Sequence, residues 1–413
     1  MTADSAAAAK RPRRTFRLAT VLITTAVVFV LPELLCRALL DPARAYRAIR
    51  FGNDPASEQL FVQDPDLQWS LRSDAAVTFM NQQIRTDARG FRVRKPATTP
   101  TDASTVLCLG DSTAFGWGTS AAEAYPARLE RHLGAGWRVH NAGVPGYSSH
   151  QVRVSARRWI PALRPAYVVV CIGNNDAWPA RQSDRDAFDF GGFGGGIARF
   201  LGQSAFFAWI VDAVNGDRPP ANPLHLADDA TPRVSDDEMA ANLEAVIALA
   251  REHGAQPLIL GPPANLFLPP RNINEVIERW TPVGLAVDAQ IQAGRPAAAR
   301  ALLDKEQPPA GDRIYFAWLR AMITALAEDP VRGRAELERV YEEHRFPDRA
   351  RRSYRDRQRA VAAAADVPFV DVNELFLRGR SEEQARALYL DWCHPTPAGH
   401  RIIQDQLARW IER

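Results

Sequence analysis

Two short stretches of the sequence carry the residue types needed for nucleophilic catalysis. Ser112 lies in LCLGDSTAFGWG, and Asp391 stands three residues before His394 in DWCHPTPAGH. A serine hydroxyl becomes a nucleophile when an imidazole accepts its proton, and the imidazole needs an acid that holds its other nitrogen. The spacing lets the Asp391 carboxylate reach the ring within one turn. The sequence therefore predicts Ser112 as the nucleophile, His394 as the base and Asp391 as the orienting acid.

Two further stretches offer hydrogen-bond donors for the oxyanion that forms when a serine attacks an ester. NAGVPGYSS contributes backbone N–H groups at Gly143 and Gly146, and IGNND contributes the side-chain amide of Asn175. The loss of one such donor typically costs about 3–4 kcal/mol of barrier. We expect an oxyanion hole made of the backbone N–H groups of Ser112 and Gly146 and the Asn175 amide. Gly143 is the alternative to Gly146.

Each of these residues also has a simpler interpretation when taken alone: a serine in a turn, a histidine at a helix cap or an acid on the surface. Cys393 stands beside His394 and could be a thiol nucleophile, but its neighbours favour a packing role. Asp111 and Asp176 are expected to bond to backbone groups around the site. We expect no metal ion and no cofactor, because no His, Asp and Cys cluster has the spacing of metal ligands.

The elements that must position these residues alternate between short apolar strands and helices from residue 105 onwards. The predicted strands are TVLCLG, WRVHNAG, AYVVVCIG, QPLILG and VPFVDV, and the predicted helices include AYPARLERHLG, SSHQVRVSARRWIPAL and SDDEMAANLEAVIALAREHG. Nearly continuous apolar strands between helices are typical of a parallel sheet covered on both faces. In such sheets the chemistry gathers at the carboxyl ends of the strands. Strand-ending motifs are therefore expected to meet at one edge.

Taken in order, the motifs resemble those of the SGNH/GDSL hydrolase superfamily over about residues 105–280 and 366–413. The matching blocks are Gly110-Asp111-Ser112, the oxyanion-hole glycine Gly146, Gly173-Asn174-Asn175-Asp176, and Asp391-Trp392-Cys393-His394-Pro395. The resemblance implies a flavodoxin-like, three-layer α/β/α fold and hydrolysis of carboxylic esters. It implies catalysis by Ser112, Asp391 and His394. It also implies an oxyanion hole of Ser112, Gly146 and Asn175, supported by Asp111, Gly173 and Asp176.

The N-terminus predicts attachment to a membrane. A basic tail (1–17) precedes an apolar segment (18–40), which is interpreted as an uncleaved, single-pass signal anchor. The basic residues place the tail in the cytoplasm and the catalytic body in the periplasm or outside the cell, although Arg44, Arg47 and Arg50 weaken this asymmetry. A cleaved signal peptide and a buried helix of a soluble protein are the alternatives.

Three further regions complete the predicted organisation. Residues 41–104 are expected to form a small, partly β spacer with a turn at Gly90. Residues 189–214 are glycine-rich and then strongly apolar, which favours a lid over the site or plain core packing. Residues 281–365 interrupt the hydrolase region (105–280 and 366–413) with a helical insertion.

The helical insertion contains an internal repeat. AGRPAAARALL (293–303) and AEDPVRGRAEL (327–337) match at an offset of 34 residues. This period resembles tetratricopeptide helix pairs, whose stacked units form an interaction surface, so the insertion is a candidate site for a protein partner. Chance matches in an Ala/Leu/Arg-rich helical segment are the alternative.

Composition sets the remaining limits. The 413 residues carry a formal net charge of only +3, much of it near the N-terminus, so no nucleic-acid partner is expected. The four cysteines do not form a disulfide framework. The anchor, the external orientation and the motifs GVPGYSS and GNNDAW resemble those of bacterial hydrolases of cell-envelope polymers. This resemblance implies ester hydrolysis or transfer, with O-acetyl groups of an envelope or extracellular polysaccharide as the leading substrate. Lipid esters, or a polysaccharide-assembly scaffold that binds partners through its insertion, are the alternatives.

Overall fold

The structure is a computed structural model. It describes residues 12–39, 56–64, 66–94, 103–180, 182–188, 204, 206–207, 210, 231–271, 273–344 and 349–412. Most of the predicted basic tail, residues 41–55 and 95–102 of the predicted spacer, and most of the segment 189–214 lie outside these residues.

The strands, in chain order, are β1 (Phe61–Asp64), β2 (Gln68–Leu71), β3 (Ala76–Phe79), β4 (Gln82–Arg85), β5 (Ser104–Gly110), β6 (Trp137–Gly143), β7 (Tyr167–Cys171), β8 (Pro179–Ala180), β9 (Thr231–Pro232), β10 (Gln256–Gly261) and β11 (Phe369–Asp371). The α-helices are α1 (Pro12–Thr25), α2 (Leu31–Leu39), α3 (Ser57–Leu60), α4 (Ser112–Phe115), α5 (Tyr125–Leu133), α6 (Ser149–Leu163), α7 (Asp184–Phe188), α8 (Asp236–Glu252), α9 (Asn274–Gln292), α10 (Pro296–Asp304), α11 (Arg313–Ile323), α12 (Pro330–Glu343), α13 (Arg352–Ala364), α14 (Val372–Leu377), α15 (Glu382–Arg386) and α16 (Pro397–Ile411).

The chain divides into two compact units, and the smaller one comprises residues 1–69 and 189–220. In it, α1 and α2 are joined by a π-helical turn at Ala26–Val30. Within the described residues, one stretch, Leu18–Leu39, is long and apolar enough to cross a membrane, and 0% of it is buried. Glu33 near its end accepts hydrogen bonds from the Ser204 hydroxyl at 2.7 Å and from the Phe206 backbone N–H at 3.0 Å.

The larger unit comprises residues 70–188 and 221–413, and a five-stranded sheet is its centre. All pairs in this sheet are parallel, in the spatial order β11-β10-β7-β5-β6. Counted by their order in the chain, these strands run 2-1-3-4-5 from the β6 edge, which is the order of flavodoxin-like sheets. The central strands are apolar where they are buried: Leu107 in β5 and Val169 in β7 are both 0% exposed.

Helices cover both faces of this sheet, as continuous apolar strands require. The structure confirms the predicted three-layer α/β/α class, and the strands WRVHNAG and QPLILG have the predicted bounds. Helices α5 and α16 pack together, and α6 packs against α8. One side of the sheet carries a core that includes Tyr125, Leu129, Ile403 and Leu407. The switch between β5, β6 and β7 lies at the centre of the carboxyl edge, where Ser112 follows β5.

Residues 70–94 are part of the larger unit. Strands β3 and β4 form an antiparallel hairpin. After it, the Asp87 carboxylate accepts the backbone N–H groups of Arg89 and Phe91, each at 2.9 Å. This closes the predicted turn, in which Gly90 has φ +82°. Arg92 then bridges to Asn141 of β6, so this segment is joined to the edge of the sheet.

The helical region runs from α9 to α12, between β10 and α13. Helices α9 and α10 form one pair, and α11 with its π-helical end (Thr324–Glu328) pairs with α12. The aligned prolines of the repeat, Pro296 and Pro330, each begin the second helix of a pair. Helix α9 begins at Asn274, ahead of the proposed boundary at 281. Helix α13 packs against β10 and β11 of the sheet. The boundaries 281–365 therefore stay a prediction.

Candidate active site

Ser112 is placed at the carboxyl edge of the sheet by the abrupt change from strand to helix. Strand β5 ends at Gly110, and Asp111 is the N-cap of the one-turn helix α4. The Asp111 carboxylate accepts the Thr113 backbone N–H at 2.8 Å, which satisfies a donor at the start of the helix. Ser112 is then the first helical residue and is 8% exposed.

The structure brings Ser112 together with His394 and Asp391, although the serine and the histidine are 282 residues apart. The Ser112 Oγ lies 2.8 Å from His394 Nε2, and His394 Nδ1 lies 2.7 Å from Asp391 Oδ2. The backbone N–H groups of Cys393 and His394 also donate to Asp391 Oδ1, each at 3.0 Å. The carboxylate is thereby fixed, and it orients the ring so that Nε2 can accept the serine proton.

The electrostatics of this pair favour a proton on His394 once it has left Ser112. Burial lowers the pKa of His394, but Cys393 and the Asp391 carboxylate favour the imidazolium, and the net shift of this pKa is upward. Burial raises the pKa of Asp391, but hydrogen bonds from His394 and Cys393 exceed this effect, and the net shift is downward. Because burial raises the pKa of the Cys393 thiol, that thiol is neutral near pH 7. Asp391 therefore provides the charge that stabilises the imidazolium.

The predicted oxyanion-hole donors follow three neighbouring strands. Among the described residues, no acceptor takes the backbone N–H of Ser112 after β5 or that of Gly146 after β6. Asn175 follows β7, is 7% exposed, and donates one of its two amide hydrogens to the Tyr147 carbonyl oxygen at 3.0 Å. Its second amide hydrogen is available for a substrate oxygen.

Gly143 differs from Gly146 in both its conformation and its bonding. Gly143 ends β6, its N–H donates to Asn141 Oδ1 at 3.1 Å, and a Cβ there would meet the Phe115 backbone N at 2.3 Å. Gly143 is thus explained by the close approach of α4 to β6. Gly146 has φ +81° in the following turn, a conformation that favours glycine. Of the two glycines, Gly146 is the one whose N–H is available.

The acids expected to play structural roles do bond to backbone groups. Asp111 caps α4, and Asp176 Oδ1 accepts the Ser149 backbone N–H at 3.0 Å. Both are 0% exposed. Burial raises the pKa of Asp111 to about 6 and the pKa of Asp176 to about 7. Gly173, the third predicted supporting residue, lies between β7 and Asn174 with φ +118°.

Several residues that position the site were missed by the sequence interpretation. Asn265, in the loop after β10, donates its amide to the Asp391 carbonyl oxygen at 3.2 Å, and its N–H donates to the Trp392 carbonyl oxygen at 2.7 Å. Arg233 donates to the Gly146 carbonyl oxygen at 2.8 Å and pairs with Asp184. Asn265 follows the end of a predicted strand, which is a signal that could have identified it. No local pattern marks Arg233.

Trp117 and Arg92 were also missed. The Trp117 ring stacks on His394, with centroids 5.6 Å apart and planes inclined by 26°. Arg92 donates three hydrogen bonds to the loop that carries Trp117. Trp117 lies within the motif of the nucleophile, but its contact with a residue far along the chain has no local signature.

Within the described residues, one group has the residue types and proximity to hold a metal ion. It comprises Asp391, Cys393 and His394, whose ligand atoms lie within 4.8 Å of one another. The Cys393 sulfur lies 3.8 Å from Nε2 and 3.9 Å from Nδ1, so it is nearly equidistant from the two ring nitrogens and lies along the lone pair of neither. Both nitrogens already face other partners, Ser112 and Asp391. The geometry therefore suits proton transfer better than metal coordination.

Part of the chain matches a model of a known protein family. Residues 108–290 match the family model described as the GDSL-like lipase/acylhydrolase family. Over this stretch, which is less than half of the chain, the sequence is similar to that family, and this similarity supports an ester-hydrolysing serine hydrolase. No curated protein matches the chain.

Solved structures of the same kind are similar over most of their length. A member of the lipolytic protein G-D-S-L family from Veillonella parvula is 10% identical with a TM-score of 0.36, covering 75% of this chain and 100% of that one. The psychrotrophic esterase EstA from Pseudoalteromonas is 11% identical with a TM-score of 0.34, covering 75% and 100%. A lipase/acylhydrolase from Enterococcus faecalis is 12% identical with a TM-score of 0.37, covering 75% and 95%. At such TM-scores these similarities carry no argument about substrate.

Proposed function

We propose that the protein hydrolyses or transfers O-acetyl esters on a cell-envelope or extracellular polysaccharide, with Ser112 as the nucleophile. The observation that carries this proposal is the continuous set of contacts from Ser112 Oγ to His394 Nε2 at 2.8 Å and from Nδ1 to Asp391 at 2.7 Å. These are the distances at which a base can accept a proton and an acid can hold the base.

The reaction begins when Ser112 Oγ attacks the ester carbonyl carbon and its proton passes to His394 Nε2. The carbonyl oxygen becomes an oxyanion, which accepts hydrogen bonds from the N–H groups of Ser112 and Gly146 and from the Asn175 amide. His394 then gives its proton to the departing sugar oxygen, and the acyl group stays on Ser112. Water, or a second sugar hydroxyl in a transfer reaction, attacks this ester while His394 again accepts a proton. His394 then returns this proton to Ser112 Oγ as the bond between Oγ and the acyl carbon breaks, and the free acid or the new sugar ester leaves.

Two features support a small acyl group on a sugar. Ser112 is only 8% exposed, so there is little open space beside its hydroxyl. A short acyl chain fits there more readily than a long one. Trp117, Trp178 and Trp392 are half-buried, and they adjoin the blocks that carry Ser112, Asn175 and His394. Flat, partly exposed aromatic rings are suited to pack against the C–H faces of sugar rings, and such rings commonly line ligand sites.

The membrane segment and the helical region belong to the same proposal. The exposed, apolar helix of residues 18–39 supports single-pass attachment, with the catalytic body in the periplasm or outside the cell. The helical region 281–365 is proposed to bind a protein partner, and its two helix pairs, in each of which the second helix begins at a proline (Pro296 and Pro330), support this. Since a partner surface takes no part in ester cleavage, variants there are expected to leave turnover unchanged.

The test uses the full chain, purified in detergent, with acetyl, butyryl, octanoyl and palmitoyl esters of p-nitrophenol and with an acetylated oligosaccharide. We expect turnover of the acetyl esters, a steep decline with chain length, and release of acetate from the oligosaccharide. Ser112→Ala is expected to lower kcat by about 10⁶-fold. A fluorophosphonate probe should label the wild-type protein and not this variant. Ser183→Ala is the matched control, because Ser183 is half-buried and its hydroxyl is hydrogen-bonded to Asp186.

Two results would contradict the proposal at different levels. Normal turnover by Ser112→Ala would remove the assigned nucleophile. A rate that rises with acyl length would replace the sugar ester with a lipid ester as the substrate, while leaving the nucleophile in place.

A further inference from the structure

Arg92 is a buried arginine that reaches the active site from residues 70–94, outside the stretch that matches the family model. It is 4% exposed. Its Nη1 donates to the carbonyl oxygens of Phe115 at 2.8 Å and Gly116 at 2.7 Å, and its Nη2 donates to the carbonyl oxygen of Thr119 at 2.7 Å. One side chain thus holds three carbonyl groups of the loop that follows the nucleophile.

The Phe115 and Thr119 carbonyl groups take their donors from outside this loop, whereas the Gly116 carbonyl oxygen also accepts the Thr119 backbone N–H at 3.2 Å and the Thr119 hydroxyl at 3.0 Å. Helix α4 has a single turn, so the carbonyl groups at its end lack partners within the helix. Gly116 at the C-cap has φ +86°, and a Cβ there would meet Arg92 Nη1 at 3.1 Å. The guanidinium also lies over the Phe115 ring, 4.4 Å from its centroid. Burial lowers the pKa of Arg92 to about 9, so the group is charged at neutral pH.

Arg92 is itself held firmly. Its backbone N–H donates to the Asn141 carbonyl oxygen of β6 at 3.1 Å, and the Asn141 amide donates to the Phe115 carbonyl oxygen at 3.2 Å. The Phe115 carbonyl oxygen therefore receives hydrogen bonds from both residues. Arg92, which is not part of the sheet, therefore connects the end of α4 at Phe115 to Asn141 of β6.

The same loop also supports the base. Trp117 lies between Gly116 and Thr119, and its ring stacks on the His394 ring. The edge of Phe79 from β3 packs against Trp117, with centroids 5.4 Å apart and planes at 78°. Residues 70–94 therefore contact the helix of Ser112 directly, through Arg92. They contact His394 indirectly, because Phe79 packs against Trp117 and Trp117 stacks on His394.

We propose that Arg92 is a positioning residue for the reaction, because it fixes the loop that sets Ser112 and Trp117 relative to His394. This inference rests on the proposed role of Ser112. A lysine cannot replace Arg92. The planar guanidinium donates from two separate nitrogens, Nη1 and Nη2, whereas the single ammonium group of lysine cannot reach all three carbonyl groups. A small displacement of reacting groups can lower a rate by about 10²-fold.

The test compares Arg92→Lys and Arg92→Gln with the wild-type full chain on p-nitrophenyl acetate. We expect kcat per folded molecule to fall about 10- to 100-fold while KM changes less than about 3-fold, because substrate contacts are unchanged and only the alignment is lost. The rate of fluorophosphonate labelling at Ser112 should fall with kcat. Arg92→Lys should retain more activity than Arg92→Gln, because it keeps the charge and one donor.

Leu337→Ala is the control for a purely structural role. Leu337 is 0% exposed in the core of the helical region, so this variant lowers the melting temperature without contacting the site. If Arg92 only stabilises the fold, its variants will keep the wild-type kcat per folded molecule, as Leu337→Ala does, and the inference is overturned. If Ser112→Ala is inactive while Arg92→Lys is fully active, Arg92 alone loses its role. Normal activity of Ser112→Ala would instead remove the proposed nucleophile.

Discussion

The carboxyl edge of the sheet and the helical region are built in opposite ways. At the edge, polar side chains are buried: Asp111 and Asp176 are 0% exposed, Asn174 is 2% exposed and Asn175 is 7% exposed. In the helical region the buried core is mainly apolar and includes Leu303, Phe316 and Leu337. Some of its charged groups pair near the surface, as Arg300 does with Glu328 and Arg320 with Asp304.

The difference shows where this protein carries its chemistry. Burying a polar group costs free energy unless it is hydrogen-bonded, and apolar packing is the simpler way to build a stable core. The edge keeps buried polar groups that are hydrogen-bonded around Ser112 and the predicted oxyanion donors, as Asp111 is to Thr113 and Asn175 to Tyr147. Substitutions at the edge should therefore change rates, and substitutions in the helical region should change stability.

After Ser112→Ala, the largest effect is expected from Asp391→Asn. The base must be neutral to accept a proton, so activity rises as pH increases through the pKa of His394. The Asp391 carboxylate raises that pKa, so its removal should move the acidic limb of kcat/KM to lower pH. At the plateau we expect kcat to be lower by about 10⁴-fold, because the ring is no longer held in the required tautomer.

The measurement is the pH profile of p-nitrophenyl acetate hydrolysis. Asp288→Asn, an exposed change on α9, is the matched control. A variant that keeps the wild-type profile would show that Asp391 does not act on His394.

Asn175→Ala at the carboxyl edge is expected to lower kcat less than Asp391→Asn does. If the Asn175 amide stabilises the oxyanion, kcat should fall by about 10²- to 10³-fold, with little change in KM, because this contact is made mainly in the transition state. Steady-state kinetics on the acetyl ester measures both quantities. Asn274→Ala at the exposed start of α9 should leave kcat unchanged. A rise in KM alone would instead assign Asn175 to ground-state binding.

The smallest effect on rate is expected in the helical region. Leu337→Ala should lower the free energy of unfolding by about 2–5 kcal/mol, because it removes a fully buried side chain and leaves a cavity. Denaturant unfolding measures this loss, and kcat below the transition should equal that of the wild type. A large loss of kcat in the folded variant would mean that the two regions are coupled and that their separation is wrong.

Much of the fold follows from patterns of short range. Apolar runs such as WRVHNAG and QPLILG end at glycine, and they formed β6 and β10 with the predicted bounds. A strand and its ending turn depend on neighbouring residues, so one sequence is sufficient to recognise them. The four motifs were recognisable for the same reason, since each is a few residues long and ends a strand or precedes a helix.

Residues 70–94 show what short-range patterns miss. The sequence predicted a turn at Gly90, and the structure has one, but it also brings Arg92 to the carbonyl groups of Phe115, Gly116 and Thr119. Periodicity indicates which face of an element is buried and does not indicate which distant loop it meets. Phe79 and Trp117 are a second example, because each has the pattern of an ordinary core aromatic.

The sequence by itself determined the α/β class, the strand-ending motifs and the pairing of Asp391 with His394, because all of these depend on residues close together in the chain. Only the tertiary structure decided that Ser112 and His394 lie 2.8 Å apart, that Gly143 has its N–H occupied while Gly146 does not, and that Arg92 braces the nucleophile loop. The physical reason is that these contacts depend on strand order and loop packing, which join residues far apart in the chain.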